Sequence, residues 1–325
     1  MPPRNQPTNP AEILPSLQSL VQTNAYSAHQ KTRTTAARLS AHGHVDAATE
    51  VLFEISKALL KKGEVGSGVD LAVFMINTTE SKNELFGDVV RGRVTNLIAL
   101  CPSTANWRKT VVDASINLST KAPNLSPAGD PLLLQYIGEL YYKEKDFVKA
   151  EPHLISSGTR DSGKILGAMG FEWCQEGAVD PSPYLLRLVL PHLLLSPPSI
   201  LPARSTLDTF LSHLLSSNPS FLIERIPFPS ADNADEILYT TLPVANYLQL
   251  LIRSVQRSGS ETAKVSWTEL GSKYRSWGKP WLRDEHIKEA VQYISTNTFK
   301  IPAPRGAGGN NMMADLMSSL FGGGM

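Results

Sequence analysis

Histidines and acidic residues are the side chains in this sequence that could hold a metal ion or act as catalytic acids and bases. The seven histidines include one close pair, His42 and His44, at a predicted turn. A zinc site would need further Cys, His or Asp ligands at fixed spacings, as in H-E-x-x-H, and no such spacing occurs. A G-x-S-x-G elbow, a kinase motif set and a Walker motif are also absent from the sequence. We therefore predict no catalytic residues, no metal, no cofactor and no enzyme activity.

A glycine-rich stretch, Gly63–Gly68, could form a loop that binds phosphate. Such a loop follows a strand and ends in Lys followed by Ser or Thr. Here a helical pattern precedes the stretch, and Val69-Asp70-Leu71 follows it. We therefore predict a helix C-cap and a turn over residues 63–68.

Four aromatic residues near the C-terminus could form a cage for a ligand: Trp267, Tyr274, Trp277 and Trp281. Because they recur at helical spacing, packing in a core is the simpler interpretation, and we predict it. The two cysteines, Cys101 and Cys174, are too few for a disulfide framework. They are expected to be buried free thiols in a reducing compartment.

The charged residues are almost balanced, with 31 Lys and Arg against 30 Asp and Glu and a net charge of +1. This balance does not support a nucleic-acid binder or a polybasic membrane protein. One helix, predicted from about Tyr26 to Ala41, is nevertheless locally basic. His29 and Arg33 lie one turn apart on one side, and Lys31 and Arg38 share another side. We interpret the helix as an electrostatic anchor for an acidic surface of a partner protein. The alternative is that Arg33 pairs with another residue of the same chain.

The stretch from Asp130 to Ser162 indicates the architecture that must position these residues. Asp130 is a predicted N-cap before a helix that starts at Pro131. Two helical patterns follow, in which small residues at Gly138 and Ala150 alternate with large ones, as in tetratricopeptide hairpins. The small residues allow close approach of two helices, and one hairpin cannot bury its apolar face alone. Neighbouring hairpins are therefore expected on both sides.

Helical periodicity extends over most of the chain and predicts an all-α solenoid of antiparallel helix hairpins. One exception is expected, because Phe221–Ile226 and Glu236–Thr240 flank the polar loop Ser230–Asp235 and predict a small β-hairpin. A helix with a clean apolar stripe follows, at Leu248, Leu251, Ile252 and Val255. Further helices are predicted from Ser260 and over Trp281–Ile294, and Asp161 or Ser162 is the predicted N-cap of the helix Gly163–Cys174.

The two ends of the sequence differ from this pattern. Residues 1–10 are polar and proline-rich, and we expect them to be disordered. They lack the apolar core that follows a basic end in a secretory signal, so no such signal is expected. The apolar run Tyr184–Leu195 contains Arg187 and Pro191 and is too short to span a membrane. A soluble cytosolic protein is therefore expected. Residues 301–325 are predicted to be disordered, with an apolar segment, Met312–Phe321, that is either a sticky tail or a helical docking peptide.

Several short stretches together resemble one known family. They lie in the same order along nearly the whole sequence: Tyr26–Thr34, Gly66–Leu71, Gly129–Pro131, Asp146–Phe147, Gly158–Ser162 and Met312–Gly323. The chain resembles fungal-like members of the Golgi-to-ER traffic protein four family, the adaptor subunit of guided entry of tail-anchored proteins.

The resemblance implies an α-solenoid without enzyme activity. It implies that an N-terminal half, residues 11–157, binds the ATPase that carries tail-anchored proteins and restrains its ATP hydrolysis. His29 and Arg33 match the ATPase-facing motif, and Lys31 and Arg38 are the other basic candidates on that helix. Asp70 resembles the first member of a regulatory acidic pair. The chain has Asn77 where the second acid would stand.

The resemblance also implies that a C-terminal half, residues 158–300, binds a ubiquitin-like-domain subunit. That subunit would dimerise, give a heterotetramer and connect to a co-chaperone. The residues expected to bind it are in and after the β-hairpin: Leu238, Tyr239, Tyr247, Leu248, Leu251 and Ile252. No nucleic acid and no direct membrane insertion are expected.

A different class of protein could produce a similar sequence. Helical scaffold subunits of the proteasome-lid or COP9 type are also solenoids, but they normally end in a winged-helix module with strands after the last helices. Here the predicted helix Trp281–Ile294 is followed by a Gly- and Pro-rich tail. The sequence therefore favours the adaptor over the scaffold.

Overall fold

A computed structural model describes residues 8–82, 85–177, 180–228 and 235–302 of the chain. The chain divides into two compact units, with the boundary between Tyr136 and Ile137. The resemblance instead implies a boundary between residues 157 and 158. The predicted disordered ends and polar loop lie outside the described residues, except for residues 8–10, 235 and 301–302.

Helices form almost all of the regular structure in the described part of the first unit. Its helices are α1 (Pro10–Thr23), α2 (Ala25–Ala41), α3 (Val45–Lys62), α4 (Val65–Ser81), α5 (Asp88–Leu100), α6 (Trp107–Lys121) and the start of α7 (Pro131–Lys143). Extensive contacts join α3 with α4, α2 with α3 and α4 with α6, because each helix has an apolar side that must be buried against a neighbour.

The second unit continues this pattern and adds one small sheet. It contains the end of α7, then α8 (Phe147–Ser157), α9 (Arg160–Gly177), α10 (Ser182–Leu194), α11 (Ile200–Ser217), β1 (Leu222–Pro227), β2 (Glu236–Thr240), α12 (Pro243–Gln256), α13 (Glu261–Trp277) and α14 (Glu285–Asn297). The two strands are antiparallel, with an irregularity between Leu222 and Glu224. The predicted β-hairpin is therefore confirmed.

Helices α3 and α4 approach each other closely at Gly68. A Cβ atom at Gly68 would lie 2.6 Å from the Leu60 Cγ atom, so a larger residue cannot fit without movement. Gly63 adopts φ +88° and ends α3, as predicted. The predicted turn over 63–68 is too long, because α4 already begins at Val65. Contact with α3, rather than a turn, explains the glycine at position 68.

The same close approach occurs at the predicted tetratricopeptide-like hairpin of α7 and α8. A Cβ atom at Gly138 would lie 2.6 Å from Leu154 Cγ. Asp130 caps α7, since its Oδ1 accepts from the Leu133 N–H at 2.7 Å. Arg91 Nε and Nη2 each donate to this buried carboxylate at 2.8 Å. The predicted cap is confirmed, and Arg91 supplies the charge that its burial requires.

Helices α9 and α11 pack closely against each other at two glycines, Gly163 and Gly167, that the sequence analysis did not single out. Cβ atoms at Gly163 and Gly167 would lie 2.6 and 2.4 Å from the backbone carbonyl oxygens of Pro202 and Thr206. Because backbone atoms cannot move aside as side chains do, this helix contact depends on the missing Cβ atoms.

Two predicted helix starts are wrong. The Thr159 hydroxyl accepts from the Ser162 N–H at 3.0 Å and the Ser162 hydroxyl accepts from the Thr159 N–H at 3.1 Å, so Thr159, not Asp161 or Ser162, caps α9. The helix predicted from Trp281 begins later. Residues Trp281–Arg283 form a short 3₁₀ turn, and Asp284 then caps α14 by accepting from His286 N–H at 3.0 Å.

The predicted aromatic core is confirmed in part. The Trp267 ring stacks on Phe299 with centroids 4.4 Å apart, and Tyr274 contacts Tyr247 at 5.7 Å. Trp277, however, is 61% exposed. Both cysteines are buried free thiols, as predicted. Burial raises the pKa of Cys101 to about 11 despite the charge of nearby Arg108.

Replacing Gly167 with alanine should destabilise the second unit. The new methyl group would overlap the Thr206 carbonyl oxygen, and overpacking of this kind costs about 1–3 kcal/mol. Gly271→Ala is the matched control. Nothing lies within 4 Å of a Cβ atom at Gly271, so alanine there should stabilise α13 by up to about 1 kcal/mol. Urea unfolding of the full chain measures both, and an equal shift for the two variants would contradict the close-packing account.

Acid should destabilise the chain through His192. Its ring is fully buried, neither ring nitrogen has a hydrogen-bond partner among the described residues, and burial lowers its pKa from 6.5 to about 4. The unfolded chain binds the proton below about pH 6.5 and the folded chain does not. Stability is therefore lost as pH falls, by about 1.4 kcal/mol per pH unit until the folded pKa is reached.

The measurement is the free energy of unfolding at pH 7 and pH 5 for wild type and His192→Leu. The variant should lack this part of the pH dependence, so the stability difference between the two proteins should change between the two pH values. His286→Gln serves as the control because its side chain is exposed. An identical pH dependence in all three proteins would exclude the role of His192.

Candidate functional site

Three of the predicted ATPase-binding residues meet on one side of the first unit. His29 Nε2 lies 2.7 Å from Asp70 Oδ2, and Arg33 Nη1 donates to the same oxygen at 2.5 Å. His29 and Arg33 lie one turn apart on α2, which Asn24 caps by accepting from the Ser27 N–H at 2.9 Å. The structure thus brings together two helices at one carboxylate, a contact that the sequence did not predict.

The electrostatics of this cluster favour a charged Asp70. Partial burial acts to raise the pKa of Asp70, but hydrogen bonds and charge from Arg33 and His29 outweigh it and hold the pKa below its ordinary value. The Arg33 guanidinium also lies over the Phe74 ring, 5.3 Å from its centroid. Gln30 Nε2 lies 3.4 Å from His29 Nδ1, so both ring nitrogens of His29 have a polar neighbour.

The pairing with Asp70 leaves Arg33 accessible. The side chains of Arg33 and Asp70 are each 44% exposed, while His29 is 13% exposed. Arg33 therefore pairs within the chain, which was the alternative to an electrostatic anchor, and it is also exposed at the surface. The neighbouring Tyr26 is 71% exposed and lies one turn before His29 and Gln30 on α2.

The other basic residues of α2 lie apart from this cluster. Lys31 is exposed and Arg38 is partly exposed, and both project from a different side of the helix. Within the described ranges, neither side chain forms a hydrogen bond or an ion pair. Asn77 is exposed about two turns after Asp70 on α4, so this side of the helix has an amide where the family resemblance expects a second acid.

The residues predicted to bind a partner subunit fall into two groups. Tyr239 is 39% exposed and Leu238 is partly exposed, both on β2. The four on α12 are at most 4% exposed and form part of the core of the second unit: Tyr247, Leu248, Leu251 and Ile252. The apolar stripe of α12 is therefore occupied by packing within the chain, and the hairpin holds the accessible candidates.

Polar residues on α12, which the sequence analysis missed, hold the outer edge of β2. Gln249 accepts from Leu238 N–H at 2.9 Å and donates to Leu238 carbonyl oxygen at 2.8 Å. Asn246 pairs in the same way with Thr240 at 2.9 and 2.8 Å. Arg253 Nη2 donates to the Glu236 carbonyl oxygen at 2.7 Å. Three helical side chains thus replace a third strand.

A signal for this arrangement is present in the sequence. Asn246, Gln249 and Arg253 recur at helical spacing beside the apolar stripe, and polar residues in such buried positions need hydrogen-bond partners. Arg253 and Arg204 also both bind Asp235, at 2.8 and 2.5 Å, at the start of β2. The hairpin is therefore fixed to α11 and α12.

Among the described residues, none covers the opposite edge of the hairpin in this way. Leu238 directs its backbone N–H and C=O to Gln249, so Leu238 and the facing residue Arg225 form a non-hydrogen-bonded pair. The N–H and C=O of Arg225 therefore point away from β2. No described residue outside the hairpin takes them. Ile226 and Tyr239 lie on one face of the sheet and are 38% and 39% exposed. The edge of β1 and this face are accessible to a binding partner.

The described residues contain no group of three or more His, Cys, Asp or Glu side chains that could hold a metal ion. None of the helices in the described ranges is both long enough and apolar enough to cross a membrane. Two accessible features of the described residues are the cluster of His29, Arg33 and Asp70 and the β-hairpin.

Comparison with known proteins identifies the family. The family model described as Golgi to ER traffic protein 4 matches residues 42–321. Proteins of that name from Aspergillus fumigatus and Schizosaccharomyces pombe are 28% and 27% identical, over 92% of this chain and 86% and 91% of theirs.

A solved structure titled "Crystal structure of C. therm. Get4" is 32% identical, with a TM-score of 0.79 over 97% of this chain and 96% of that one. The predicted all-α solenoid fold with one small β-hairpin is therefore confirmed. The match to the family model covers well over half of the sequence and agrees with the resemblance found in the short stretches. The chain belongs to the Golgi to ER traffic protein 4 family.

Proposed function

We propose that this chain is a non-enzymatic adaptor in the cytosolic targeting of tail-anchored membrane proteins to the ER. Its family has a role in Golgi-to-ER traffic. In the proposed function the first unit binds a targeting ATPase, and the second unit binds a ubiquitin-like-domain subunit that connects to a co-chaperone. The observation that carries the proposal is the cluster of His29, Arg33 and Asp70, since these residues match the ATPase-facing positions and meet at one accessible carboxylate.

The cluster presents Arg33 in a fixed orientation. Asp70 binds one guanidinium nitrogen, the guanidinium carbon lies 5.3 Å from the centroid of the Phe74 ring, and 44% of the side chain stays exposed. A side chain that is already ordered loses less conformational entropy when a partner binds. The proposed contact is an acidic patch on the ATPase that meets Arg33, and attraction of this kind mainly speeds association.

Asp70 has a second proposed role in regulation of the ATPase. The resemblance assigns regulation to a pair of acids, and only one acid is present because Asn77 occupies the second position. Asp70 is accessible, and its lowered pKa keeps it charged near neutral pH. We therefore assign the regulatory contact to Asp70 alone.

The β-hairpin is the proposed contact for the ubiquitin-like-domain subunit. Its outer edge on β2 is filled by α12, whereas the β1 edge and the face with Ile226 and Tyr239 are accessible. An exposed strand edge can accept an extended segment of a partner, and apolar side chains beside it add burial. Dimerisation of the partner would give a heterotetramer.

Replacing Arg33 with Gln should weaken ATPase binding more than replacing Lys31 with Gln does. Both changes remove one positive charge from α2, but only Arg33 belongs to the cluster with Asp70. An exposed ionic contact contributes about 0.2–1 kcal/mol, so the expected loss is up to about fivefold in affinity. Binding is measured with the purified full chain and the ATPase at low and high salt, and the wild-type affinity should fall with salt.

The melting temperature separates binding from folding in this comparison. Loss of the exposed pair with Asp70 should change stability by less than about 1 kcal/mol. Equal losses of affinity for Arg33→Gln and Lys31→Gln, or an affinity that does not depend on salt, would contradict the proposed anchor. A large drop in melting temperature for Arg33→Gln alone would identify it as a structural arginine.

Replacing Ile226 or Tyr239 with Asp should abolish co-purification of the ubiquitin-like-domain subunit. Both side chains are exposed on the hairpin, so a charge there disturbs a binding surface rather than the core. Val265→Asp is the matched control, because it places the same charge on another exposed apolar residue of the second unit, at 61% exposure. Leu248→Asp should instead unfold this unit, since Leu248 is fully buried.

Co-expression followed by gel filtration gives the result, together with the melting temperature of each variant. Retained binding by both hairpin variants at normal stability would contradict this placement of the partner. Equal loss of binding in Val265→Asp would show that the effect is not specific to the hairpin. Failure at the hairpin leaves the ATPase contact of the first unit untouched, so the two parts of the proposal are tested separately.

A further inference from the structure

Four basic side chains and one exposed tryptophan surround the C-terminal end of α13 in the second unit. Residues 273–283 contain four bases and no acid, although the whole chain has a net charge of only +1. All five side chains are exposed, and together they are called the basic tryptophan patch below: Lys273, Arg275, Trp277, Lys279 and Arg283.

The bases of this patch are not neutralised by the residues around them. Lys273, Arg275 and Lys279 form no ion pair and no side-chain hydrogen bond with any residue that the structure describes. Arg283 Nε donates to the Arg275 carbonyl oxygen at 3.3 Å, a contact with the negative end of the α13 dipole. Because a carbonyl group carries only a partial charge, four full positive charges remain at the surface.

The nearest acids along the chain have other partners or lie at the margin of the patch. Asp284 caps α14, since its side chain accepts from two backbone N–H groups. Glu285 pairs with Lys288 at 2.9 Å. Glu269 lies one turn before Lys273 on α13, and no ion pair joins the two. The patch therefore presents an excess of positive charge, which suits an anionic partner.

The indole ring of Trp277 gives the patch an apolar part. It is 61% exposed, and it contacts the Tyr274 ring at a centroid distance of 5.5 Å. Tyr274 is buried and packs on Tyr247, so the tryptophan extends outward from a firm base. The indole N–H donates no hydrogen bond to another described residue. An exposed ring with a free donor is suited to the boundary between an apolar layer and a polar one.

The turn that follows α13 is held in place by its own contacts. The Leu282 N–H donates to the Gly278 carbonyl oxygen at 2.9 Å, and a Cβ atom at Gly278 would lie 2.4 Å from Leu282 Cδ1. Trp281 Nε1 donates to Asp180 Oδ2 at 2.6 Å, which joins the turn to the residues just before α10. The bases in and after this turn are therefore carried by an ordered segment.

Three classes of anionic partner could meet such a patch, and its composition favours a lipid surface. A bound peptide usually lies in a groove, and of the five patch residues only Arg275 lines the groove between α13 and α14. Single-stranded nucleic acid stacks successive bases on several aromatic rings, whereas here Tyr274 is buried and Trp277 is the most exposed ring. Basic side chains attract anionic lipid headgroups, and tryptophan rings are enriched at headgroup depth.

We propose that the basic tryptophan patch binds the surface of a membrane that contains anionic lipids. The lysine and arginine side chains meet the negatively charged groups of the lipids, and the Trp277 ring enters the headgroup region. The contact is peripheral, since it uses only side chains at one end of a helix. Each base close to such a surface strengthens binding about fivefold. This inference does not depend on the proposed partners.

Flotation of the purified full chain with lipid vesicles tests the proposal. The chain should bind vesicles of phosphatidylcholine mixed with phosphatidylserine, and it should bind pure phosphatidylcholine vesicles at least about tenfold more weakly. Binding should weaken as the salt concentration rises, because salt screens the attraction. Replacing both Lys273 and Lys279 with Gln should lower the affinity for the mixed vesicles at least about tenfold.

Matched variants separate the patch from charge and apolar surface elsewhere. Replacing both Lys31 and Arg38 with Gln also removes two bases that lack an ion pair, but on the first unit, and should change binding less than about twofold. Trp277→Ala should weaken binding, whereas Val265→Ala should not, although Val265 is on the same helix and equally exposed at 61%. Melting temperatures check the fold, and the lysine variant carries the test if Trp277→Ala is unstable.

Several results would overturn the proposal. Equal binding to the two kinds of vesicle would exclude recognition of anionic lipids, and equal losses in the patch and control variants would exclude this patch as the site. Binding of an oligothymidylate strand without binding of vesicles would identify a nucleic-acid surface instead. Binding of polyglutamate alone would identify a surface for an acidic protein segment, and binding to none of these probes would leave the patch without the proposed role.

Discussion

Close contact between helices is the constraint on which this structure depends. At Gly68, Gly138 and Gly167, a Cβ atom would lie within 2.6 Å of an atom of the neighbouring helix. These contacts fix how far apart and in what register paired helices lie. Gly68 is two residues before Asp70, so the contact that holds α4 against α3 also helps to set where the Asp70 carboxylate meets α2. The accessible cluster is therefore positioned by helix packing rather than by a loop.

The fold could be predicted from the sequence because its main signals are local. Apolar residues at helical spacing, the cap at Asp130 and the small residue at Gly138 each act through neighbours on the same or the next helix. The β-hairpin could be predicted for the same reason. The errors at Gly66 and Gly68, at Thr159 and at Trp281 concern element boundaries, where several residues can cap equally well and tertiary contacts decide.

The contacts of the candidate site could be predicted only in part because they join positions that are distant in the sequence. Periodicity separates His29 and Arg33 from Lys31 and Arg38, but it contains no information about which helix lies opposite. The pairing with Asp70 therefore came from the structure. The stripe on α12 shows the same limit, because periodicity identifies an apolar side without telling whether the chain or a partner covers it. Here the chain covers Leu248 and its neighbours completely.

Helix α12 contributes both to the core of the second unit and to the hydrogen bonds of strand β2. Its apolar side is packed in the core of the second unit, and the amides of Asn246 and Gln249 pair with the backbone of β2. An amide side chain that donates and accepts at once reproduces the hydrogen bonds of a neighbouring strand, so β2 is held without a third strand. Breaking these bonds would leave buried polar groups unpaired, which is costly. These hydrogen bonds therefore fix the β-hairpin to a helix whose other side belongs to the core of the second unit.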